Sequence, residues 1–139
     1  MLSSGNPIFR GAATALVTPF CGGAPDHAAM KRLIHAQLAG HINALLVLGT
    51  TGEASTLTRE ERRALIRCAS EAAGGHVPLI AGAGSNDTAK AILLTEDACD
   101  AGADAVLSVT PYYNKASPDG LIRHFTAIAD ASPKPILLY

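Results

Sequence analysis

The stretch Ala44-Leu45-Leu46-Val47-Leu48-Gly49-Thr50-Thr51-Gly52-Glu53 decides how the chain folds. Its first five residues are apolar without alternation, the pattern of a strand buried on both faces. Two hydroxyls then stand between two glycines, at the predicted carboxyl end of that strand. Ligands bind at this end in a parallel α/β fold, where glycines let backbone N–H groups and short hydroxyls close around a small anion such as a carboxylate. The same residues also fit a plain βα turn, rich in glycine because it is tight.

Outward from this strand one unit repeats. Apolar strands are predicted over 13–17, 44–48, 78–81, 105–109 and 135–138, with the strand-to-strand spacing of about thirty residues that βαβ units require. N-cap candidates for the intervening helices are Asp26, Thr58, Ser85 or Asn86, and Ser117. Thr58 has Glu61 three residues on, a capping box, and Ser117 precedes Pro118 at the first helical position. Apolar stripes at helical spacing follow: Met30, Leu33, Ile34 and Leu38; Leu65, Ile66, Ala69 and Ala73; Ile92, Thr95 and Cys99; Leu121, Ile122, Phe125 and Ile128. Gly40, Gly74-Gly75, Gly102 and Ser132-Pro133 mark the helix ends.

This pattern predicts an α/β fold: the first four βα units and the fifth strand of a (β/α)8 TIM barrel, a half barrel, with a flavodoxin-like open sheet as the alternative. The chain stops at Pro135-Ile136-Leu137-Leu138-Tyr139, inside the fifth strand. A bare hydrophobic edge there would aggregate, and a whole barrel needs about 250 residues. Residues 1–139 are therefore expected to be the N-terminal half of a single TIM-barrel domain, with the remainder absent from this chain.

With 48% hydrophobic and 17% charged residues and a net charge of −1, the composition predicts an ordinary cytoplasmic chain. Its 11 Lys and Arg are dispersed among 12 Asp and Glu, so neither nucleic acid nor an anionic membrane is an expected partner. No segment has the length of a membrane span, and Met1-Leu2-Ser3-Ser4-Gly5-Asn6-Pro7 lacks the basic start and apolar run of a signal peptide. Cys21, Cys68 and Cys99 are widely spaced and odd in number, which predicts reduced, buried thiols rather than a disulfide or metal site.

Two further motifs follow predicted strands. Ala81-Gly82-Ala83-Gly84-Ser85-Asn86 suggests a dinucleotide loop, but the sixth position of that template is Asp87, whose charge would repel a pyrophosphate; a glycine turn feeding a helix cap remains. Thr110-Pro111-Tyr112-Tyr113-Asn114-Lys115 places two tyrosines together in a chain with 4% aromatics. Adjacent side chains point apart, so one can face the mouth of the fold while the other anchors a protein interface.

Together, Ala13-Thr14-Ala15-Leu16-Val17-Thr18-Pro19-Phe20, Gly49-Thr50-Thr51-Gly52-Glu53-Ala54, Ile80-Ala81-Gly82-Ala83-Gly84-Ser85-Asn86, Thr110-Pro111-Tyr112-Tyr113-Asn114 and Ile136-Leu137-Leu138-Tyr139 closely resemble the dihydrodipicolinate synthase family. The resemblance runs along essentially the full chain. The wider group of class I pyruvate aldolases, including N-acetylneuraminate lyase, shares the Gly-[Ser/Thr]-Thr-Gly-Glu loop and the barrel; the Tyr-Tyr pair and the Thr-Thr of the loop tilt the match toward the synthases. The resemblance implies a cytoplasmic lyase of lysine and diaminopimelate biosynthesis that condenses pyruvate with L-aspartate 4-semialdehyde to give 4-hydroxy-tetrahydrodipicolinate. It implies no metal or organic cofactor. A lysine of the sixth strand would form a Schiff base with pyruvate, whose enamine attacks the aldehyde, and the amine must be unprotonated to do so.

By position, Thr50, Tyr113 and Tyr139 resemble the family's proton-relaying hydroxyl triad, and Thr51 the residue that holds the pyruvate carboxylate. A phenol titrating near about 10 is a poor acid or base alone, so a chain of hydroxyls is a plausible substitute for one tuned group. The residue matching Tyr113 reaches into a neighbouring subunit's site, which implies a homo-oligomer, a tetramer built as a dimer of dimers.

Three departures matter. No lysine matches the Schiff-base residue: Lys31 and Lys90 fall in helices, Lys134 precedes the fifth strand, and Lys115, in a loop at the correct face, would stay charged in open solvent. The chain alone is expected to be inactive. The arginine that positions the second substrate also has no counterpart. Finally, at positions matching the family's lysine-inhibition site (Ala54, Ser55, Gly84, Asn86, Lys90 and Tyr112), Lys90 stands where lysine-sensitive members have an acid, and Arg59 and Arg62 stand for two histidines. Like charges repel the effector's ammonium, so weak or absent inhibition by lysine is expected. Open alternatives are a pyruvate aldolase acting on a sugar acid and a non-catalytic half barrel.

Overall fold

A computed structural model describes residues 7–139; the first six residues of the N-terminal stretch read above lie outside the described residues. Elements follow in the order β1 (Ala13–Ala15), β2 (Phe20–Cys21), β3 (Ala24–Pro25), α1 (His27–Ala39), β4 (Ala44–Val47), α2 (Arg59–Ala73), β5 (Leu79–Gly82), α3 (Thr88–Asp100), β6 (Ala105–Ser108), α4 (Pro118–Ala131) and β7 (Ile136–Leu138). Five strands pair in parallel in the order β1-β4-β5-β6-β7. A doubly wound sheet would reverse that order at a switch point. An unreversed parallel order with a helix in each crossover is the half barrel, four βα units and a fifth strand, and it replaces the open-sheet alternative.

The central strands β4, β5 and β6 are apolar without alternation because both faces are covered, though by different partners. Leu45, Val47, Leu79, Ala81 and Val106 face the helices and share a core with Met30 and Ile34 of α1, Leu65 and Ala69 of α2, and Ala98 of α3. Ala44, Ile80 and Ala105 point the other way, toward the barrel interior, with Leu46, Leu107 and Leu137 beside them and Ile8 and Phe9 packed against them.

Local chemistry sets the helix limits. Thr58 accepts from the Glu61 N–H at 3.2 Å while Glu61 Oε2 accepts from the Thr58 N–H at 2.8 Å, the reciprocal capping box. Gly74 ends α2 in the left-handed conformation, with φ 56°. Asp26 and Ser117 cap α1 and α4 as read from sequence. The cap of α3 is Asp87, not Ser85 or Asn86: its carboxylate accepts from the N–H groups of Ala89 and Lys90, while the Ser85 hydroxyl accepts from the Asp87 N–H. A carboxylate at a helix N-terminus also meets the dipole, which a serine does not.

Other expectations shift in detail. The buried side of α3 is Ala91, Thr95, Asp97 and Ala98, with Ile92 and Cys99 only partly covered, and in α4 Ile122 lies exposed while His124 and Ile128 are buried. Cys68 is buried as expected, whereas Cys21 is exposed because it lies in a β2–β3 hairpin. That hairpin escaped the periodicity reading because two-residue strands have no period. Gly22 and Gly23, with φ 61° and 83°, are its turn signal.

An ion cluster ties α2 to α3. Asp97, 4% exposed, accepts from Arg59 Nη2 at 2.9 Å and is also paired with Arg63. The Arg59 hydrogen bond, joined by that of Arg63, holds the Asp97 carboxyl below its usual range. At the strand ends β4 and β5 approach so closely that a β-carbon on Gly82 would lie 2.2 Å from the Leu48 carbonyl oxygen. Gly82→Ala should therefore lower the unfolding free energy by about 1–3 kcal/mol in urea titrations, since only a backbone shift relieves the overlap.

His124 gives the fold a pH dependence. Its Nδ1 is hydrogen-bonded to the Thr88 hydroxyl at 2.8 Å, its Nε2 is buried with no partner among the described residues, and burial pushes its pKa down. The unfolded chain then binds a proton more readily than the folded one, so this contribution is present above about pH 6.5 and is lost as pH falls toward the folded value. The other four histidines are exposed. Urea midpoints of the wild type should fall between pH 7 and pH 5, and His124→Gln should flatten that slope; an unchanged slope would remove His124 as its cause.

Candidate active site

Parallel pairing puts the carboxyl ends of β1, β4, β5, β6 and β7 along one rim. After β4 the chain turns through Leu48, with φ 58°, then two 3-10 turns, Thr50–Gly52 and Ala54–Thr56, joined at Glu53 with φ 53°. Left-handed non-glycine residues cost about 1–3 kcal/mol each and persist only where neighbours over-determine them. Those neighbours are visible. Backbone N–H and carbonyl groups bond within the turn, Gly52 N to Gly49 O and Glu53 N to Thr50 O, each at 3.0 Å. The buried Thr18 hydroxyl, just past β1, donates to Gly52 O at 2.6 Å. From α2, Arg62 donates through Nη1 to Ala54 O at 2.9 Å and through Nη2 to Gly82 O at 2.7 Å. Burial pushes the pKa of Arg62 below the ordinary arginine value.

In such a turn the first N–H groups have no acceptor within it. Those of Thr50 and Thr51 precede the first bonded donor, Gly52, and both residues are exposed at the rim. Two N–H groups and two hydroxyls at a fixed turn are what a small carboxylate requires.

The loops after β5 and β6 are stapled to each other. Asn86 Nδ2 donates to Tyr112 O at 3.2 Å and Asn114 Nδ2 donates to Asn86 O at 2.9 Å. A β-carbon on Gly84 would lie 2.5 Å from the Val109 nitrogen, so the two loops need glycine there. Between the stapling residues, Tyr113 adopts φ 70° and is 99% exposed, its ring projecting from the surface. Tyr139 continues the β7 ladder, its N–H donating to Ser108 O at 3.0 Å and its carbonyl accepting from Thr110 N at 2.8 Å; its phenol is exposed.

Thr50, Tyr113 and Tyr139 thus share one rim, with Thr51 adjacent to Thr50. Among the described residues no hydrogen bond joins the three hydroxyls. Of the positions matched to an effector site, Asn86 and Tyr112 are bonded and Gly84 lies at the same loop contact, whereas Ser55 and Lys90 are exposed on the second turn and on α3, outside that staple. Arg59 and Arg62 are committed to Asp97 and to the two carbonyls. Lys31, on α1, is paired with Glu71 at 3.6 Å, Lys134 precedes β7 at the opposite end of the strands, and Lys115 lies in the exposed loop after β6. Among the described residues no group of three His, Cys, Asp or Glu side chains is arranged to hold a metal ion.

Thr18 was missed as a site-forming residue. Its signal was a hydroxyl at the end of an apolar strand, the same signal that marks Thr50. Arg62 was noticed only as a changed effector position; its carbonyl partners belong to other loops and leave no trace in local sequence.

The model of the dihydrodipicolinate synthetase family matches residues 8–139. The 4-hydroxy-tetrahydrodipicolinate synthase of Alkaliphilus oremlandii is 54% identical over 132 residues, 95% of this chain and 46% of that protein. A crystal structure of the chloride-inhibited dihydrodipicolinate synthase of Acinetobacter baumannii, complexed with pyruvate, is 44% identical with a TM-score of 0.90 over 93% of this chain and 45% of that one. A monomeric dihydrodipicolinate synthase variant, 44% identical, gives a TM-score of 0.93 over 95% of this chain and 44% of its own. The chain spans about half the length of the curated relatives it matches. Matched along nearly all of its own length, it belongs to the dihydrodipicolinate synthetase family.

Proposed function

We propose that residues 1–139 are the N-terminal half of a single TIM-barrel domain, and that the complete protein condenses pyruvate with L-aspartate 4-semialdehyde to give 4-hydroxy-tetrahydrodipicolinate in the cytoplasm. The observation that carries this reading is the Thr50–Gly52 turn, held at the carboxyl rim by Thr18 and Arg62 with its leading N–H groups unbonded within the turn. Family membership supplies the reaction. A downstream lysine attacks C2 of pyruvate and water leaves as the imine forms. Loss of a methyl proton gives the enamine, which adds to the aldehyde carbon. This segment's part is to hold the pyruvate carboxylate at Thr51 and to move protons through Thr50, Tyr113 and Tyr139.

The half-exposed Tyr112 and the fully exposed Tyr113 support a homo-oligomer in which these rings meet a second copy and the hydroxyl relay is completed across the contact. Ring burial there would also offset the backbone strain at Tyr113.

Trapping with pyruvate and borohydride should add one pyruvyl group to a lysine of the complete protein and none to the 139-residue chain alone. An adduct on Lys115 of the isolated chain would overturn the division of labour. In the complete enzyme, Thr51→Val should raise the KM for pyruvate with kcat little changed, whereas Thr50→Val should lower kcat about a hundredfold, the lower end for a lost proton-transfer group. Turnover of a sugar-acid aldehyde in place of aspartate semialdehyde would replace the proposed substrate.

Lysine at millimolar concentration should leave the rate unchanged, because Lys90 stands where lysine-sensitive members have an acid and would repel the effector's ammonium. Calorimetric binding of lysine at micromolar affinity would contradict this.

A further inference from the structure

We propose that Arg62 is a positioning residue for the substrate-binding turn: from behind the rim it clamps the turn after β4 to the end of β5, and so sets the geometry in which Thr50 and Thr51 meet the substrate. The inference rests on the reading of the turn as the pyruvate carboxylate site.

The turn is gripped at two points from two sides. Thr18 holds Gly52 O from the β1 side, and Arg62 holds Ala54 O from the α2 side. These carbonyls flank Glu53, the left-handed residue on which the two 3-10 turns hinge. Without the second grip, Glu53 is free to relax toward an ordinary conformation and carry Thr50 and Thr51 with it. The other arm of the guanidinium reaches Gly82 O, in the strand whose following loop contains Asn86, stapled to Tyr112 and Asn114. Arg62 is therefore the side chain that joins the β4 turn to the stapled loops of β5 and β6. Only a planar fork with two donors on separate nitrogens can bridge two carbonyls in this way; an ammonium is a point charge. Among the described residues no carboxylate is bonded to Arg62, unlike Arg59 and Arg63 on the same helix, both of which pair with Asp97. Stabilising a buried carboxylate is thus a task for its neighbours, and the role left to Arg62 is to fix backbone.

The test compares wild type, Arg62→Met, Arg62→Lys and, as a control on an exposed position of the same helix, Arg67→Met, each in the complete protein. Arg62→Met should raise the KM for pyruvate roughly tenfold, the scale of one lost charge-assisted hydrogen bond, and should lower kcat as well, though less than Thr50→Val does, since Thr50 shifts with the turn but keeps its hydroxyl. Arg62→Lys, with one arm at a time, should fall between, and Arg67→Met should match wild type. Amide hydrogen exchange provides a readout independent of substrate: Arg62→Met should speed exchange at Gly52, Glu53 and Thr56, whose N–H groups are bonded in the turn, while the amides of the middle of α2 stay protected. Unchanged exchange in the turn overturns the clamp whatever the substrate is. Faster exchange throughout α2 as well overturns it too, since Arg62 would then act on the helix. Faster exchange confined to the turn, without any pyruvate adduct in wild type, keeps the clamp and rejects the pyruvate reading instead.

Discussion

Parallel pairing of five strands in unbroken chain order is the constraint on which the molecule depends. A parallel neighbour can be reached only by a crossover, here a helix each time, and every crossover returns the chain to the same starting edge. All strand carboxyl ends therefore meet at one rim, and residues as far apart in sequence as Thr18, Thr50, Asn86, Tyr112 and Tyr139 are brought to it. Register sharpens this. Ala15 pairs with Leu46, Leu46 with Ile80, Ile80 with Ala105, and Leu107 with Leu137, so one set of side chains lines the interior while the alternate set packs on the helices. A slip of one residue in any strand would exchange the two sets and misdirect the loop that follows.

The rim is also where backbone strain collects. Leu48, Glu53 and Tyr113 all have positive φ, and all three lie in loops leaving the carboxyl ends of strands. The opposite end of the same strands carries one such residue among those described, His41 after α1, while glycine supplies the positive φ at Gly74 and Gly102, which end α2 and follow α3. At the rim a side chain is wanted as well as the turn, so the strain is retained and the surrounding hydrogen bonds to Gly52 O, Ala54 O and Asn86 O hold it.

What the sequence revealed follows from the range of the interactions. Apolar runs bounded by caps located all five strands of the main sheet and all four helices, because strand burial and capping are decided within a few residues. The capping box at Thr58 and the stop at Gly74 are of this kind. Asp87 shows the limit: it was read only as a charge that excludes a pyrophosphate, while the same carboxylate caps α3, since three adjacent polar residues compete for one cap and the backbone path decides among them. The inward stripe of α3 was misread for a longer-range reason. A burial rule based on hydropathy cannot place Asp97 inside, because what makes it tolerable there is a pair of arginines 34 and 38 positions earlier in the chain. The rim loops were identified by composition, yet their mutual staples were invisible, as Arg62 and Thr18 act on carbonyls, which every residue has.

The polar face of α2 accounts for how one helix serves both the core and the site. Arg59, Arg62 and Arg63 stand at i, i+3 and i+4, hence on one side of the helix, and their arrangement divides them by height along the axis. Arg59 and Arg63, a full turn apart, converge on one carboxylate of α3 and neutralise a charge that burial alone would penalise heavily. Arg62, between them in sequence, is turned toward the rim and meets neutral carbonyls, and burial lowers its pKa against the opposing pull of the nearby Asp97 charge. A single acid serving two arginines leaves the third with no ionic partner in that cluster, and a guanidinium so placed is drawn to the strongest dipoles in reach, the carbonyls at the end of β5 and after the β4 turn. The ion cluster that fastens α2 to α3 thereby also aims Arg62 at the turn after β4, which makes helix docking and loop geometry consequences of the same three residues.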